Sequence, residues 1–198
     1  MGLEDRASLR CDVPQLPYLA RFGQRKGHTC GVACLCYVLS CYGVNYTEEQ
    51  LLGVVIEENE NGNTVAELAE AVNKLGFVPY ARCLSRTRHL IGELREEWVQ
   101  EGSEKEMEEW LRHVVQENKR IIVSLDTRQL GPPYNSKWGG YHSVVVISVR
   151  GDVVEFLDPD PPQENSYPKQ SRPVSIGFGN FMKSWGSVAY IALFAVSK

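Results

Sequence analysis

A cysteine that opens an apolar helix, a histidine that opens a β-branched strand and an aspartate that closes the next strand stand out in this chain. They are Cys30, His142 and Asp158. Cys30 lies in "GHTCGVACLCYVLSCYG" (27–43), which holds four of the six cysteines. At a helix start its thiol meets the positive end of the macrodipole and unpaired N–H groups, both of which favour thiolate. Cys34 and Cys41 fall further down the same side of that helix, where burial leaves a thiol inert, and Cys36 points elsewhere within the apolar run. Position alone also fits a cysteine that merely fills the core.

A nucleophilic thiol needs a base. The four histidines are His28, His89, His113 and His142. His28 is tethered two residues from Cys30, His89 sits in a polar stretch, and His113 lies on the charged side of an amphipathic helix. His142 follows a Gly-Gly turn and begins "YHSVVVISV". Asp158 ends "DVVEFLD", and Arg150-Gly151 reads as the hairpin turn between the two runs. Counting from that turn sets His142 and Asp158 nearly opposite each other, where the carboxylate could fix the imidazole tautomer. "LDPD" is equally an ordinary turn after a strand. Gln24, six residues before Cys30, could add a side-chain amide to the Cys30 N–H around an oxyanion.

Other uses of the cysteines fit less well. Those on one helix are too close together to pair well, and a chain without a signal peptide is expected to keep its thiols reduced. Zinc sites need C-x₂₋₄-C pairs joined to a second ligand pair, whereas Cys11 and Cys83 are isolated and no histidine pair has ligand spacing. The net charge of −4 argues against nucleic acid or anionic membrane as a partner. A composition 43% hydrophobic and 23% charged is that of a globular protein, and the N-terminus has no apolar signal region. The expectation is one soluble, cytoplasmic domain over 1–198, opened by an extended arm at 1–26.

The elements that must position these groups are legible from caps and periodicity. The first helix spans Cys30 to about Tyr42 and stops at Gly43, and Thr47 caps a short second one. Thr64 with Glu67, and Ser103 with Glu106, form capping boxes ahead of a third and a fourth helix. Met107, Trp110, Leu111, Val114 and Val115 stripe the fourth. Strands are expected at 77–83, 120–126, 141–149, 152–158 and 188–196, a helical turn at 181–185, and irregular chain at 159–173. Helices followed by an antiparallel sheet make the fold class α+β.

The string Q-x₅-C-G-V-A-C from Gln24 to Cys34, the later Y-H-S-V-V-V and the D-P at Asp158 resemble the C39-type, bacteriocin-processing peptidases, a branch of the papain-like cysteine peptidases. "TVAELAEAVNKLGF", "KRIIVSL" and "FMKSWGSVAYIAL" are similar to that family's middle and closing segments. The resemblance implies a papain-like fold, N-terminal helices carrying the nucleophile against a C-terminal sheet carrying His and Asp. It also implies Cys30 as nucleophile, His142 as general base, Asp158 as orienting group and Gln24 as oxyanion-hole residue. Implied with these are a peptide or peptide-like substrate and no metal or organic cofactor.

Thr29 stands where the family often has Asp. The sequence also reads as a free-standing relative of exporter-fused members, so leader-peptide specificity does not carry over. The loop at 127–140, with Tyr134, Trp138 and Gly140, is expected to bind substrate beside His142. An acyl- or aminoacyl-transferase using the same residues and a silent peptide-binding module are the competing readings. A guanylyl-cyclase label carried by a eukaryotic branch of C39-like proteins finds no Gly-rich phosphate loop here.

Overall fold

Side-chain caps set three of the helix starts. The structure, a computed structural model, describes residues 23–54, 56, 60–86, 94–117, 119–132, 134, 140–161, 171–188 and 191–197. Within them α1 runs Cys30–Ser40, α2 Glu48–Val54, α3 Val65–Lys74, α4 Glu104–Gln116 and α5 Phe178–Gly186. Ahead of α3, Thr64 Oγ1 accepts from Glu67 N while Glu67 Oε2 accepts from Thr64 N at 2.6 Å. Ser103 and Glu106 repeat this ahead of α4, and Thr47 with Gln50 ahead of α2. Each such cap contributes about 1 kcal/mol by satisfying amide groups the helix leaves unpaired. Thr29, ahead of α1, makes no side-chain cap bond.

Among the described residues seven strands form one sheet. They are β1 Phe77–Leu84, β2 Val99–Gly102, β3 Ile121–Asp126, β4 Tyr141–Arg150, β5 Val153–Asp158, β6 Arg172–Gly177 and β7 Ala192–Ser197. Their order is β2-β1-β7-β3-β4-β5-β6. Every pairing is antiparallel except β1 with β2, which is parallel and departs from the wholly antiparallel expectation. The mixed α and β content matches the expected class.

The strands alternate between two cores. Ile122, Val145 and Leu157 join the apolar residues of α1 and α3, with Leu51 of α2, in one cluster. Ile121, Val123, Leu125, Val144, Val146 and Phe156 join those of α4 and α5 in another. Helices therefore cover both faces of the sheet, and the central strands read as nearly continuous apolar runs because each face is buried.

The differences from expectation fall mainly at the sheet edges. β2 was not anticipated because "VQEG" is short and polar, and β6 because "RPVSIG" contains Pro173 and borders a Pro-rich run. Both are edge strands, where alternation is weak and proline is tolerated. α5 is also longer than the expected 181–185 turn, and β7 starts later than 188. Residues 1–22 of the expected arm lie outside the described residues.

α1 is the element that matters for chemistry. Val32 through Leu35 and Tyr37 through Leu39 are buried, so the helix is fixed on most sides. A Cβ at Gly31 would stand 3.0 Å from Leu68 Cδ1 of α3 and 3.7 Å from Ser143 Oγ of β4. The first turn of α1, with Cys30 at its head, is thus pressed between α3 and the opening of β4.

Candidate active site

The β4–β5 pairing places the carboxylate. Val145 pairs with Leu157 and Val146 with Phe156, and the register then shifts between Val146 and Ser148. One step beyond Leu157, Asp158 falls level with Val144, two residues from His142 on the same face of the ladder. Without the shift Asp158 would stand opposite Val145, on the other face of the ladder, so the bulge is what brings the carboxylate to the His142 side. A diagonal neighbour is within reach of an imidazole, and His142 Nε2 lies 2.7 Å from Asp158 Oδ1.

Asp158 is 0% exposed and fully engaged. Oδ1 also accepts from Asp160 N at 2.7 Å, and Oδ2 accepts from the Tyr134 hydroxyl at 2.6 Å. Burial opposes ionisation of this carboxyl, but the His142 charge and these donors outweigh it and hold the group below the usual carboxylate range. Burial likewise opposes charge on His142. Asp158 and Cys30 outweigh it and raise the imidazole well above its ordinary value.

Cys30 completes the line. Its sulfur hydrogen-bonds to His142 and to the backbone and side chain of Ser143. With Nε2 turned to Asp158, it is Nδ1 that meets the sulfur. Burial pushes the thiol up, but the His142 bond and charge, with Ser143, bring it below the ordinary value. Cys34 and Cys36 move the other way, because burial pushes both thiols up and neighbouring acidic groups add to it. Cys34 instead gives its S–H to Ser143 O at 3.4 Å. An imidazole raised and a thiol lowered, in mutual contact, favour the thiolate–imidazolium form of the pair over the neutral one.

Gln24 is 1% exposed, with its Oε1 enclosed and without a hydrogen-bond partner among the described residues. Its backbone N donates to Pro159 O at 2.8 Å, tying it to the residue that follows Asp158. The next residue is tied to α2: Arg25 N donates to Glu48 Oε1 at 3.0 Å, and Arg25 Nη1 to Glu49 Oε1 at 2.6 Å. Lys26 N donates to Thr29 Oγ1 at 3.3 Å. The segment from Gln24 to Cys30 is therefore pinned at both ends, and a small pocket lies along it between Arg25, Lys26, Thr29, Glu48 and Leu52.

Glu48 is buried, and burial raises its carboxyl to about 7 despite the Thr29 and Arg25 bonds. The folded chain therefore keeps a proton that the unfolded chain releases above its ordinary pKa. Stability is lost as pH rises through that window, and the full cost is present above about 7. Glu48→Gln keeps the acceptor for Arg25 N and removes the cost. Its melting temperature should exceed wild type by roughly 3 °C at pH 8 and equal it near pH 4. A shift of the same size at both pH values, read by thermal melts, would show that the buried charge is not the cause.

The expected substrate residues have different surroundings. Tyr134, expected at the substrate, is 3% exposed, packed 6.3 Å from Phe156 between ring centroids, and spends its hydroxyl on Asp158. Its place is behind the carboxylate. Gly140 is half-buried, and its carbonyl accepts from Thr127 N at 3.2 Å and Thr127 Oγ1 at 3.1 Å, closing the neck of the loop. Trp138 lies outside the described residues. Tyr141, next to His142, is 74% exposed. Sequence reasoning missed the parts played by Ser143, Glu48 and Pro159. Only Ser143 gave any signal, as a hydroxyl inside a β-branched run.

Residues 21–86 match the model of the Peptidase C39 family, a stretch that contains Gln24 and Cys30 but not His142 or Asp158. No curated protein matches the chain. Among solved structures, the peptidase domain of Streptococcus ComA is 20% identical, with a TM-score of 0.55 over 89% of this chain and 96% of that one. ComA is described as a bi-functional ABC transporter involved in a quorum-sensing pathway. A double glycine motif protease from an AMS/PCAT transporter, solved with the leader peptide, is 17% identical, with a TM-score of 0.54 over 89% of each chain. A Bacillus anthracis protein described as a C39-like peptidase is 15% identical, with a TM-score of 0.56 over 90% of this chain and 95% of that one. Over residues 21–86 the chain is similar to the Peptidase C39 family, and its fold is that of C39 peptidase domains.

Proposed function

We propose that this chain is a cysteine-nucleophile hydrolase that cleaves a peptide or amide bond through a thioester acyl-enzyme. The observation that carries the reading is the continuous line from Cys30 through His142 to Asp158, with Cys30 the thiol whose ionisation is eased while Cys34 and Cys36 are suppressed. A peptide substrate is favoured by the likeness in fold to a protease solved with its leader peptide. Among the described residues no helix is long and apolar enough to cross a membrane.

In this mechanism the Cys30 thiolate attacks the scissile carbonyl carbon, and the carbonyl oxygen gains the charge. The Cys30 N–H, at the head of a helix without a side-chain cap, and the Gln24 amide receive that oxyanion. The His142 imidazolium then protonates the departing amine as the C–N bond breaks, leaving the acyl group on sulfur. A water molecule, deprotonated by His142, attacks the thioester, and the acid product leaves with the thiolate restored. Asp158 holds the ring in the tautomer that presents Nδ1 to sulfur, and the Tyr134 hydroxyl and Asp160 N–H hold Asp158. Tyr134 is a positioning residue in this scheme. An amine arriving in place of water would make the same site an acyltransferase, so added amine nucleophiles belong in every product analysis.

The test is intact-mass labelling with limiting iodoacetamide at pH 6–7, on wild type and His142→Ala. Wild type should label once, at Cys30, and His142→Ala at least tenfold more slowly, because the thiol returns toward its ordinary, largely protonated state. Slow labelling scattered over several cysteines and indifferent to His142 would instead favour a silent binding module.

A further inference from the structure

The row of β4 that faces α1 is apolar apart from one residue. Val145 and Ile147 pack with the α1 cluster, and Ser143 continues the same row. Ser143 is half-buried, and a hydroxyl withdrawn from water costs free energy unless it is bonded. Ser143 is bonded on every polar group it has toward α1. Its carbonyl receives the Cys34 S–H at 3.4 Å, and its N–H and hydroxyl both reach the Cys30 sulfur. Its Oγ stands 3.7 Å from where a Gly31 Cβ would be, which sets the hydroxyl at the first turn of α1.

We infer that Ser143 is a further catalytic residue, its hydroxyl donating to the Cys30 sulfur and holding the thiolate together with His142. The inference rests on the hydrolase reading above and extends it. The backbone N–H would be offered by any residue at this position, but the hydroxyl belongs to serine. A neutral donor on sulfur favours the thiolate without adding a charge that would have to be solvated elsewhere. Lowering a thiol's pKa raises the thiolate fraction tenfold per pH unit below the midpoint, while nucleophilicity falls by only about threefold. The net effect is a gain at pH values below the midpoint. The ionisable groups that act on the Cys30 sulfur or on its neighbours are His142 from β4, Asp158 from β5 behind His142, and Cys34 on the same helix, itself facing Asp158, Cys36 and Glu48 of α2; none of them is altered by changing Ser143.

The experiment is the rate of Cys30 alkylation by iodoacetamide from pH 4 to 9, read by intact mass, for wild type, Ser143→Ala and Ser143→Thr. The Ala variant keeps the bond from Cys34, which goes to the backbone, and melting curves establish that each variant is folded at the assay temperature. In Ser143→Ala the midpoint should rise by about one pH unit and the rate at low pH fall by about three- to tenfold. The plateau rate at high pH should stay equal or rise, because a more basic thiolate is the better nucleophile. Ser143→Thr, which keeps the hydroxyl, should follow wild type within about twofold at every pH. A midpoint unmoved in the Ala variant overturns the inference, as does slowing by the same factor at every pH, which is the mark of simple mispositioning. A wild type whose labelling is slow and indifferent to His142 overturns the hydrolase reading along with it, and so tells the two failures apart.

Discussion

Cys30→Ala should cut turnover of any cleavable peptide by about 10⁴-fold or more and leave the melting temperature within about 2 °C of wild type. The chemical effect is large because the acyl group has nowhere else to go. Cys34 is one turn below, but burial pushes its thiol up and its S–H is spent on Ser143 O. Cys36 is likewise pushed up by burial and by Glu48. The structural effect is small because Cys30 is half-buried, alanine suits a helix start buried on its far side, and His142 keeps its bond to Asp158. A peptide-cleavage assay with thermal melts on the same sample checks both halves. Residual turnover above about a tenth of wild type would remove Cys30 from the nucleophile's role.

Asp158→Ala should be damaging in two separable ways. Removing the carboxylate leaves the His142 ring, the Tyr134 hydroxyl and the Asp160 N–H facing an emptied, enclosed site. Breaking a buried pair from one side costs about 3–5 kcal/mol, enough to lower the melting temperature by roughly 10 °C. His142 also loses the group that outweighs its burial, so its pKa should fall. The thiolate–imidazolium form is then disfavoured, and Cys30 labelling should move to higher pH, toward the ordinary thiol. Asp158→Asn separates the two effects, because an amide can still orient the ring but supplies no charge. The expected order of labelling rate at pH 7 is wild type, then Asn, then Ala, with the Asn variant melting nearer wild type. Equal rates in all three would mean that Asp158 neither orients nor charges the imidazole.

The stability side has its own pH window. Because the Asp158 carboxyl is held below the ordinary range, its contribution is present above the unfolded-state value of about 3.8 and is lost as pH falls through the lower folded value. The His142 contribution runs the opposite way: full below about 6.5 and lost only as pH climbs through the raised folded value. The two overlap across the mildly acid to neutral range, where the pair should be most firmly held.

The parts of this molecule that local chemistry determines were legible in its sequence. Thr64 with Glu67 and Ser103 with Glu106 announce helix starts because a capping box needs only residues three apart. β3, β4 and β5 are legible because they are buried and β-branched, and Gly151, at φ 55°, marks the turn between two of them. The hairpin brings His142 and Asp158 to neighbouring strands, but a bulge the pattern does not reveal is what sets the carboxylate on the His142 face. What stayed hidden depends on partners distant in sequence. β2 and β6 acquire their structure from a neighbouring strand on one side only. Tyr134 reads as a loop aromatic until the fold sets Asp158 against its hydroxyl. Ser143 looks like an interruption until α1 is laid across β4.

The bond from Gln24 N to Pro159 O reaches from one side of the chemistry to the other along the chain, and so does Cys34 to Ser143, a separation of 109 residues. Contacts of such span form late, since the closure entropy of a long loop must be met before they return any energy. A nascent or partly folded copy therefore carries Cys30 as an ordinary thiol. Reactivity beyond that of an ordinary thiol arrives only when β4 and β5 have docked on α1.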